Sequence, residues 1–299
     1  MEDEYERRLR EIKATPADEQ EEAMIGLFQE PDGYYKEPIP PTFSSYHRKA
    51  SDSEPADVRL RVPGEHPLWA HRVWNAAMVL ADYIDMSFQI KGRRVLELGA
   101  GAALPSLISA FKGAEKLAIT DYPDEVLIEN IRMNLPINNL EEGAHIRVQG
   151  HCFGEDPASL MDFVAPARGY DLILTADVVF NHSCHRQLLT TCKRCLAQDG
   201  TGEVYVSFSH HVARKVALDM NLFALACAEF GFRVEALFKV DTPPAFEVDV
   251  GDPVVRSGVY MYRLTLASHE PPPVPTFPPG VHPMPPYVPI PPLVEQPVH

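Results

Sequence analysis

A carboxylate and two glycines stand close together in the first half of the chain, between an apolar run and a proline. The stretch begins at Arg94 and reads Arg-Val-Leu-Glu-Leu-Gly-Ala-Gly-Ala-Ala-Leu-Pro. Its first five residues predict a short buried strand, and Gly99 and Gly101 predict a sharp turn. Pro105 suits the first turn of a helix, where its missing N–H is no loss. Such a strand, turn and helix N-terminus predict a site for a nucleotide-like ligand, because the helix offers free N–H groups.

The spacing and the carboxylate indicate which ligand this is. A dinucleotide site needs a third glycine three residues after the second, and Leu104 stands there. Glu97 lies inside the predicted strand, where a carboxylate costs free energy unless something pairs with it. S-adenosylmethionine carries an ammonium and a sulfonium that could pair with Glu97, whereas the pyrophosphate of NAD would be repelled. The stretch therefore favours S-adenosylmethionine.

A second carboxylate follows about 20 residues later, at the spacing of a ribose-binding acid. Asp121 ends a predicted strand, Lys116–Thr120. At a strand tip it could accept hydrogen bonds from both ribose hydroxyls. The alternative is that Asp121 only caps a helix that begins near Asp124. The joint occurrence of Glu97, two glycines and Asp121 favours the cofactor role.

Other candidates surround this predicted site. Trp74 precedes the strand and could form a wall for the ligand, with ordinary core packing as the alternative. Phe153, in the polar loop Gly150–Gly154 after a third strand, could give adenine an apolar wall. Asp177 ends a fourth strand, as Asp121 ends the second.

Strand and helix patterns alternate regularly from Val95 onward, which is typical of a parallel sheet. Two β-rich stretches, 232–240 and 255–266, predict an antiparallel pair at the sheet edge. We expect an α/β, Rossmann-like fold with a seven-stranded sheet, mostly parallel with an antiparallel edge strand, and helices on both faces. Residues 61–268 are assigned to this domain, 1–60 to a partly disordered N-terminal arm and 269–299 to a proline-rich disordered tail.

The amino-acid composition indicates which classes of partner and which cellular location suit this chain. The chain has 299 residues and a net charge of −15, which disfavours nucleic acid and favours a cationic ligand or a basic protein segment. The apolar runs are too short to cross a membrane, and the acidic N-terminus lacks the apolar core of a signal peptide. Five cysteines, an odd number in a large chain, indicate a reducing compartment. We therefore expect a cytoplasmic protein.

Two groups of cysteines and histidines are set aside. Cys192 and Cys195 match C-x-x-C, but they fall late in a predicted helix and on its apolar face, which favours core packing over redox chemistry. Histidines near His182 and His211 lack the second cysteine pair of a structural zinc site. No metal is predicted.

Short segments spread over residues 26–266 match the pattern of one protein family. Val-Leu-Glu-Leu-Gly at 95–99 marks a superfamily, and Thr-Asp-Tyr-Pro-Asp at 120–124 and Phe-Asn-His at 180–182 narrow it. The other segments are Gly-Leu-Phe-Gln-Glu-Pro at 26–31, His-Pro-Leu-Trp at 66–69, Trp-Asn-Ala at 74–76, Ala-Leu-Pro-Ser at 103–106, Phe-Glu at 246–247 and Val-Arg-Ser at 255–257. On these residues the chain resembles the seven-β-strand methyltransferases that use S-adenosylmethionine. Within them it is similar to the fungal protein N-terminal and lysine methyltransferases of translation elongation factor 1-alpha.

The resemblance implies a set of cofactor contacts. They are Trp74, the Gly99–Gly101 turn, Asp121, Ala176 and the aromatic residue after the third strand, Phe153. This chain departs from the family at three positions. Phe153 stands where the family commonly has tryptophan, and Ala103 replaces the third glycine of the turn. Val212 follows His211 where arginine is usual.

We therefore predict an S-adenosylmethionine-dependent N-methyltransferase that acts on the N-terminal glycine and adjacent lysine of translation elongation factor 1-alpha. The catalytic candidates are Asp177, to hold the amine, and Phe180 and Asn181, to line its channel. The cofactor-binding candidates are Trp74, Glu97, Gly99, Ala100, Gly101, Asp121, Tyr122, Phe153 and Ala176.

Two alternatives stay open: a methyltransferase for a small amine such as nicotinamide, and a non-catalytic binding module with the same fold. We expect a monomer. Glu247 and Asp249 are candidates for an acidic rim that attracts a basic peptide.

Overall fold

The computed structural model describes residues 39–50, 54–64, 71–243, 256–266 and 282–283. Apart from Ile39, these residues belong to one compact unit, Pro40–His299. Most of the predicted N-terminal arm and of the proline-rich tail lies outside the described residues, as do Glu247 and Asp249. The predicted domain division stays a prediction.

Ten strands and six α-helices are found in the described residues. The strands are β1 (Thr42–His47), β2 (Asp57–Val62), β3 (Arg94–Leu98), β4 (Lys116–Asp121), β5 (Ile146–Gly150), β6 (Leu172–Ala176), β7 (Glu203–Ser209), β8 (Phe232–Asp241), β9 (Gly258–Leu266) and β10 (His282–Pro283). The helices are α1 (Asn75–Ser87), α2 (Leu104–Phe111), α3 (Glu125–Ile137), α4 (Ala158–Val164), α5 (His185–Cys195) and α6 (Val216–Ala228).

The main sheet has the strand order β10-β8-β9-β7-β6-β3-β4-β5. Strands β3 to β7 run parallel, and β9 lies between β7 and β8, antiparallel to both. The two-residue β10 adds to the outer side of β8. The fold class is confirmed: the seven longer strands form a Rossmann-like, mostly parallel sheet that ends in the antiparallel β8–β9 pair.

Both faces of the sheet are covered, as the apolar central strands require. Val95, Leu96 and Leu98 of β3 are fully buried. One face packs against α1, α2 and α3, and the other packs against α4, α5 and α6. This arrangement brings the carboxyl ends of the parallel strands to one edge, where ligands bind in such folds.

A separate hairpin, β1–β2, attaches to α3 through asparagine side chains. Asn134 Oδ1 accepts from the Arg61 N–H at 2.7 Å, and its Nδ2 donates to the Arg61 carbonyl at 2.8 Å. Asn138, one helical turn later, does the same with Arg59 at 2.9 and 2.7 Å. The helix α3 thus covers the outer edge of β2.

Candidate functional site

A cavity of about 650 Å³ opens at the carboxyl ends of the parallel strands. Its lining comes from the start of α1, the turn after β3, the end of β4, the loop after β5 and the end of β6. Eleven of the twelve predicted site residues line it: Trp74, Gly99, Ala100, Gly101, Asp121, Tyr122, Phe153, Ala176, Asp177, Phe180 and Asn181. Segments far apart in sequence therefore meet where the sequence predicts a ligand.

The turn after β3 needs glycine for two reasons. Gly99 and Gly101 have φ angles of +74° and +54°, a region that favours glycine. A Cβ on Gly99 would lie 2.6 Å from Val178 Cγ1, so glycine lets the turn pass close to the segment after β6. A Cβ on Gly101 would have no described atom within 4 Å, so that side of the turn leaves room. Ala103, at the third glycine position of the family, keeps a left-handed φ of 61°.

Glu97 is the one predicted site residue that does not line the cavity. Its side chain is fully buried, and Oε2 accepts the backbone N–H of Ser106, in the first turn of α2, at 3.0 Å. Burial raises the pKa of Glu97 to about 8, the Ser106 hydrogen bond opposes this and the nearby Asp121 charge adds to it. In this structure Glu97 ties β3 to the N-terminus of α2, and its carboxyl is mostly uncharged at neutral pH.

Asp121 lines the cavity at the end of β4, held by two backbone N–H groups. Its Oδ2 accepts from Gly101 and its Oδ1 from Tyr122, each at 2.7 Å. The alternative that Asp121 caps the next helix is wrong, because Asp124 caps α3 with its own side chain, accepting from Val126 N–H at 2.9 Å. Asp121 therefore joins the glycine turn to the cavity wall.

Aromatic rings form other parts of the wall. Trp74 caps the start of α1, and the Arg72 guanidinium lies 5.7 Å from its ring centroid. Tyr122 is 54% exposed at the mouth of the cavity. Phe153 lies beside the glycine turn, with its Cζ 3.8 Å from where a Gly99 Cβ would be. Flat apolar surfaces of this kind suit an aromatic ring such as adenine.

Asp177 has an unusual backbone and firm partners. Its φ is 57°, a region that residues other than glycine seldom adopt and that is often found at functional sites. It is buried, and Oδ1 accepts from Ser209 N–H at 3.3 Å and from His211 Nε2 at 2.9 Å. The end of β7 and the residues after it thus fix this carboxylate at the edge of the cavity.

A second cavity of about 400 Å³ shares Trp74, Asp177 and Phe180 with the first. The rest of its lining is His182, His211, Val212, Lys215, Asp219 and Arg256. Phe180 is 43% exposed, whereas Asn181 lines the first cavity only and accepts a hydrogen bond from Ser183. The two cavities therefore meet at one tryptophan, one phenylalanine and one buried carboxylate.

Two histidine–carboxylate groups at the second cavity were not predicted from the sequence. His211 pairs with Asp177, and its ring lies 5.1 Å from Trp74, centroid to centroid. Buried Asp219 accepts from His182 Nε2 at 2.6 Å and from His210 Nδ1 at 2.7 Å. The Phe-Asn-His segment drew attention to His182, but no local pattern marks Asp219.

A family model described as lysine methyltransferase matches residues 61–219. The chain belongs to the lysine methyltransferase family. This match spans most of the described core, from β2 into α6, and includes both cavities except for Arg256.

Lysine methyltransferase relatives extend the match beyond that region. Three of them are named protein N-terminal and lysine N-methyltransferase. The one from Schizosaccharomyces pombe is 36% identical and covers 81% of this chain and 95% of its own length. That from Eremothecium gossypii is 39% identical, covering 83% and 98%, and that from Cryptococcus neoformans is 36% identical, covering 84% and 92%.

S-adenosylmethionine is the methyl donor of this lysine methyltransferase. The first cavity fits it, with room at Gly101, a carboxylate at Asp121 and apolar rings at Trp74 and Phe153. A candidate methyltransferase of known structure, solved with SAH, superposes with a TM-score of 0.46 and 15% identity, over 73% of this chain and 57% of its own.

Three other observations complete the description of this lysine methyltransferase. The five cysteines are free, and Cys192 and Cys195 are buried in the core, where burial raises the pKa of both thiols. Across the described ranges, no three metal-ligating side chains are arranged to hold an ion. Among the helices described, none has the length and apolar character to cross a membrane.

Proposed function

We propose that this enzyme methylates the N-terminal α-amine of translation elongation factor 1-alpha and a lysine close behind it. One observation carries the proposal: a cavity suited to the methyl donor adjoins a second cavity at Asp177, Trp74 and Phe180. A methyl acceptor must meet the donor at such a boundary. The names of the relatives support an amine on a protein as that acceptor.

On the donor side, we assign binding roles to the lining of the first cavity. Asp121 would accept the ribose hydroxyls, since each oxygen of a carboxylate can accept more than one hydrogen bond. The glycine turn would leave room for the donor, and Trp74, Phe153 and Ala176 would form its walls. Glu97 would act through the N-terminus of α2 rather than by contact, because it is buried away from the cavity.

On the acceptor side, positioning is the main task of the protein. S-adenosylmethionine supplies a methyl group open to direct displacement by a neutral amine. Asp177 would hold the amine at the boundary of the two cavities, and Phe180 and Asn181 would line its channel. Correct placement of the amine against the methyl group can contribute much of the rate.

The α-amine is the acceptor we expect to react faster. Its pKa is near 8, whereas that of a lysine is near 10.4, so it loses its proton more readily. A net charge of −15 would attract a basic peptide. Binding of this peptide would weaken as the salt concentration rises, because salt screens the attraction. A cytoplasmic location and a monomeric state remain predictions. The free cysteines support the predicted location.

The decisive experiment is mass spectrometry of a peptide that begins with glycine and lysine, incubated with enzyme and S-adenosylmethionine. We expect methylation of the free N-terminus, and little or none at that position when the peptide is N-acetylated. Nicotinamide under the same conditions is the comparison. Methylated nicotinamide beside an untouched peptide would overturn the protein substrate and leave methyl transfer standing.

A further inference from the structure

His211 lines the second cavity, next to the three residues that both cavities share. Its Nε2 donates to Asp177 Oδ1 at 2.9 Å, and its ring lies edge-on to Trp74 and Phe180, at 5.1 and 6.1 Å between centroids. Its Nδ1 makes no hydrogen bond to any described residue, and the ring lines the second cavity. A carboxylate and two aromatic rings thus orient the His211 side chain, and its Nδ1 is the nitrogen that could accept a proton.

Methyl transfer to an amine requires a group that accepts the proton of the incoming ammonium. An α-amine or a lysine arrives mostly protonated at neutral pH, and a protonated amine has no lone pair to attack a methyl group. An imidazole that is oriented by a carboxylate is a common acceptor for such a proton. Resting on the proposed function, we propose that His211 takes the proton from the acceptor amine, with Asp177 holding the imidazole in place.

The proposed step is balanced. The ammonium proton moves to His211 Nδ1, which leaves a neutral amine and an imidazolium paired with Asp177. The lone pair of the amine then forms the new N–C bond, and the electrons of the C–S bond return to sulfur. His211 gives its proton to solvent through the second cavity, where its side chain is 24% exposed.

The charged groups around His211 are compatible with this task. Burial lowers its pKa, but the hydrogen bond and charge of Asp177 outweigh burial, and the net pKa is raised. Arg256 opposes the shift and Asp219 adds to it. Lys215 and His182 line the same cavity. A base with a pKa above that of free imidazole is closer to that of an α-amine, which suits proton transfer between them.

The test compares wild type with His211→Gln at pH values from about 6 to 10. Two peptides are used: one beginning glycine–arginine, which offers only its α-amine, and one N-acetylated with a single lysine. His47→Gln is the matched control, since His47 is exposed in the β1–β2 hairpin and pairs with Asp57. Calorimetry with S-adenosylhomocysteine checks that donor binding survives.

We expect His211→Gln to lower kcat/KM about 10²-fold near pH 7. The loss should shrink once the pH passes the pKa of the acceptor itself, near 8 for the α-amine and near 10.4 for the lysine, because a base is no longer needed there. A purely structural role would give the same loss at every pH. A uniform loss, or none, would therefore overturn the proposal.

If His211→Gln does not fold, a second measurement, on wild type alone, tests the proposal. With the lysine peptide, wild-type kcat/KM should level off well below pH 10, as His211 titrates. A rate that climbs steadily towards the pKa of the lysine would show that no protein base takes part. If wild type methylates neither peptide, the proposed function itself is wrong. If wild type methylates the peptides without this pH dependence, only the role of His211 is wrong.

Discussion

Two clusters of buried ionisable side chains lie at opposite ends of β7. At its start, Glu203 accepts from Arg263 at 3.2 Å and from Tyr205 at 3.0 Å, and Arg263 also donates to Glu235 at 2.6 Å. At its end, the Ser209 N–H donates to Asp177, which pairs with His211. The two clusters share one strand and similar contacts.

Their cations differ, and so do their surroundings. Arg263 keeps its charge at any ordinary pH and is 1% exposed, with no lining role in either cavity described. The other cluster has the imidazole of His211 in place of a guanidinium, and His211 lines a cavity. The same strand thus carries one ion cluster buried within the sheet and another that lines a cavity.

The largest effect is expected from Arg263→Met. Removing one partner of a buried ion pair leaves an uncompensated charge and typically costs about 3–5 kcal/mol. Urea unfolding should show a loss of that order in the free energy of unfolding, with kcat of the folded enzyme nearly unchanged. Arg186→Met, which breaks an exposed pair with Glu229, is the control and should change the free energy of unfolding far less. A large fall in kcat with Arg263→Met would show that the two clusters are coupled.

The opposite pattern is expected from Asp177→Asn. Asparagine tolerates the left-handed φ of 57°, so the fold should be kept and the free energy of unfolding should change by about 1 kcal/mol or less. Loss of the carboxylate that orients His211 should lower kcat about 10²-fold. Steady-state kinetics and urea unfolding on the same preparation measure both. If Asp177→Asn lowered the free energy of unfolding strongly but left kcat per folded molecule unchanged, this cluster would stabilise the fold and would not serve turnover.

A third carboxylate sharpens the contrast between binding and turnover. Asp121→Ala should weaken S-adenosylmethionine binding roughly ten- to a hundredfold, since hydrogen bonds to a charged group contribute about 1.5–3 kcal/mol. Calorimetry gives the dissociation constant directly. Glu129→Ala, an exposed carboxylate of α3 paired with Arg132, is the control and should bind normally. Unchanged affinity in folded Asp121→Ala would leave Asp121 only its contact with the glycine turn.

The smallest effect is expected at Glu97, which is buried like the arginine cluster but titrates near neutrality. Its pKa is about 8 in the folded protein against 4.5 as a free side chain. Because the folded pKa is the higher one, its contribution to stability is full below pH 4.5 and is lost as pH rises through 8. Without ligand, the Tm of wild type should fall a few degrees more between pH 6 and 9 than that of Glu97→Gln. Parallel curves would mean that Glu97 does not carry this pH dependence.

The lining of the first cavity could be predicted from the sequence because its signals are local. Glycines with positive φ, a proline at a helix start and an acid at a strand tip all occur within residues 94–121. The partner of Glu97 was less predictable. A strand carboxylate had to have one, but the geometry of the turn decided that it would be the Ser106 N–H.

The second cavity could not be read in the same way. His211 follows β7, Asp219 lies in α6 and His182 precedes α5. They meet only because β7 pairs with β6, so that the segments after both strands share one edge. Nothing in the spacing of these residues encodes that contact. A pattern search assigns such histidines to a zinc site or to the surface, and only the strand order brings them to Asp177 and Asp219.

The asparagines of α3 have a consequence for how molecules of this protein behave towards one another. An uncovered strand edge offers unpaired N–H and C=O groups, on which a strand from another molecule can add. Asn134 and Asn138 occupy those groups at Arg61 and Arg59, as a neighbouring strand would. Two amide side chains of a helix therefore block that edge of the hairpin against intermolecular strand addition.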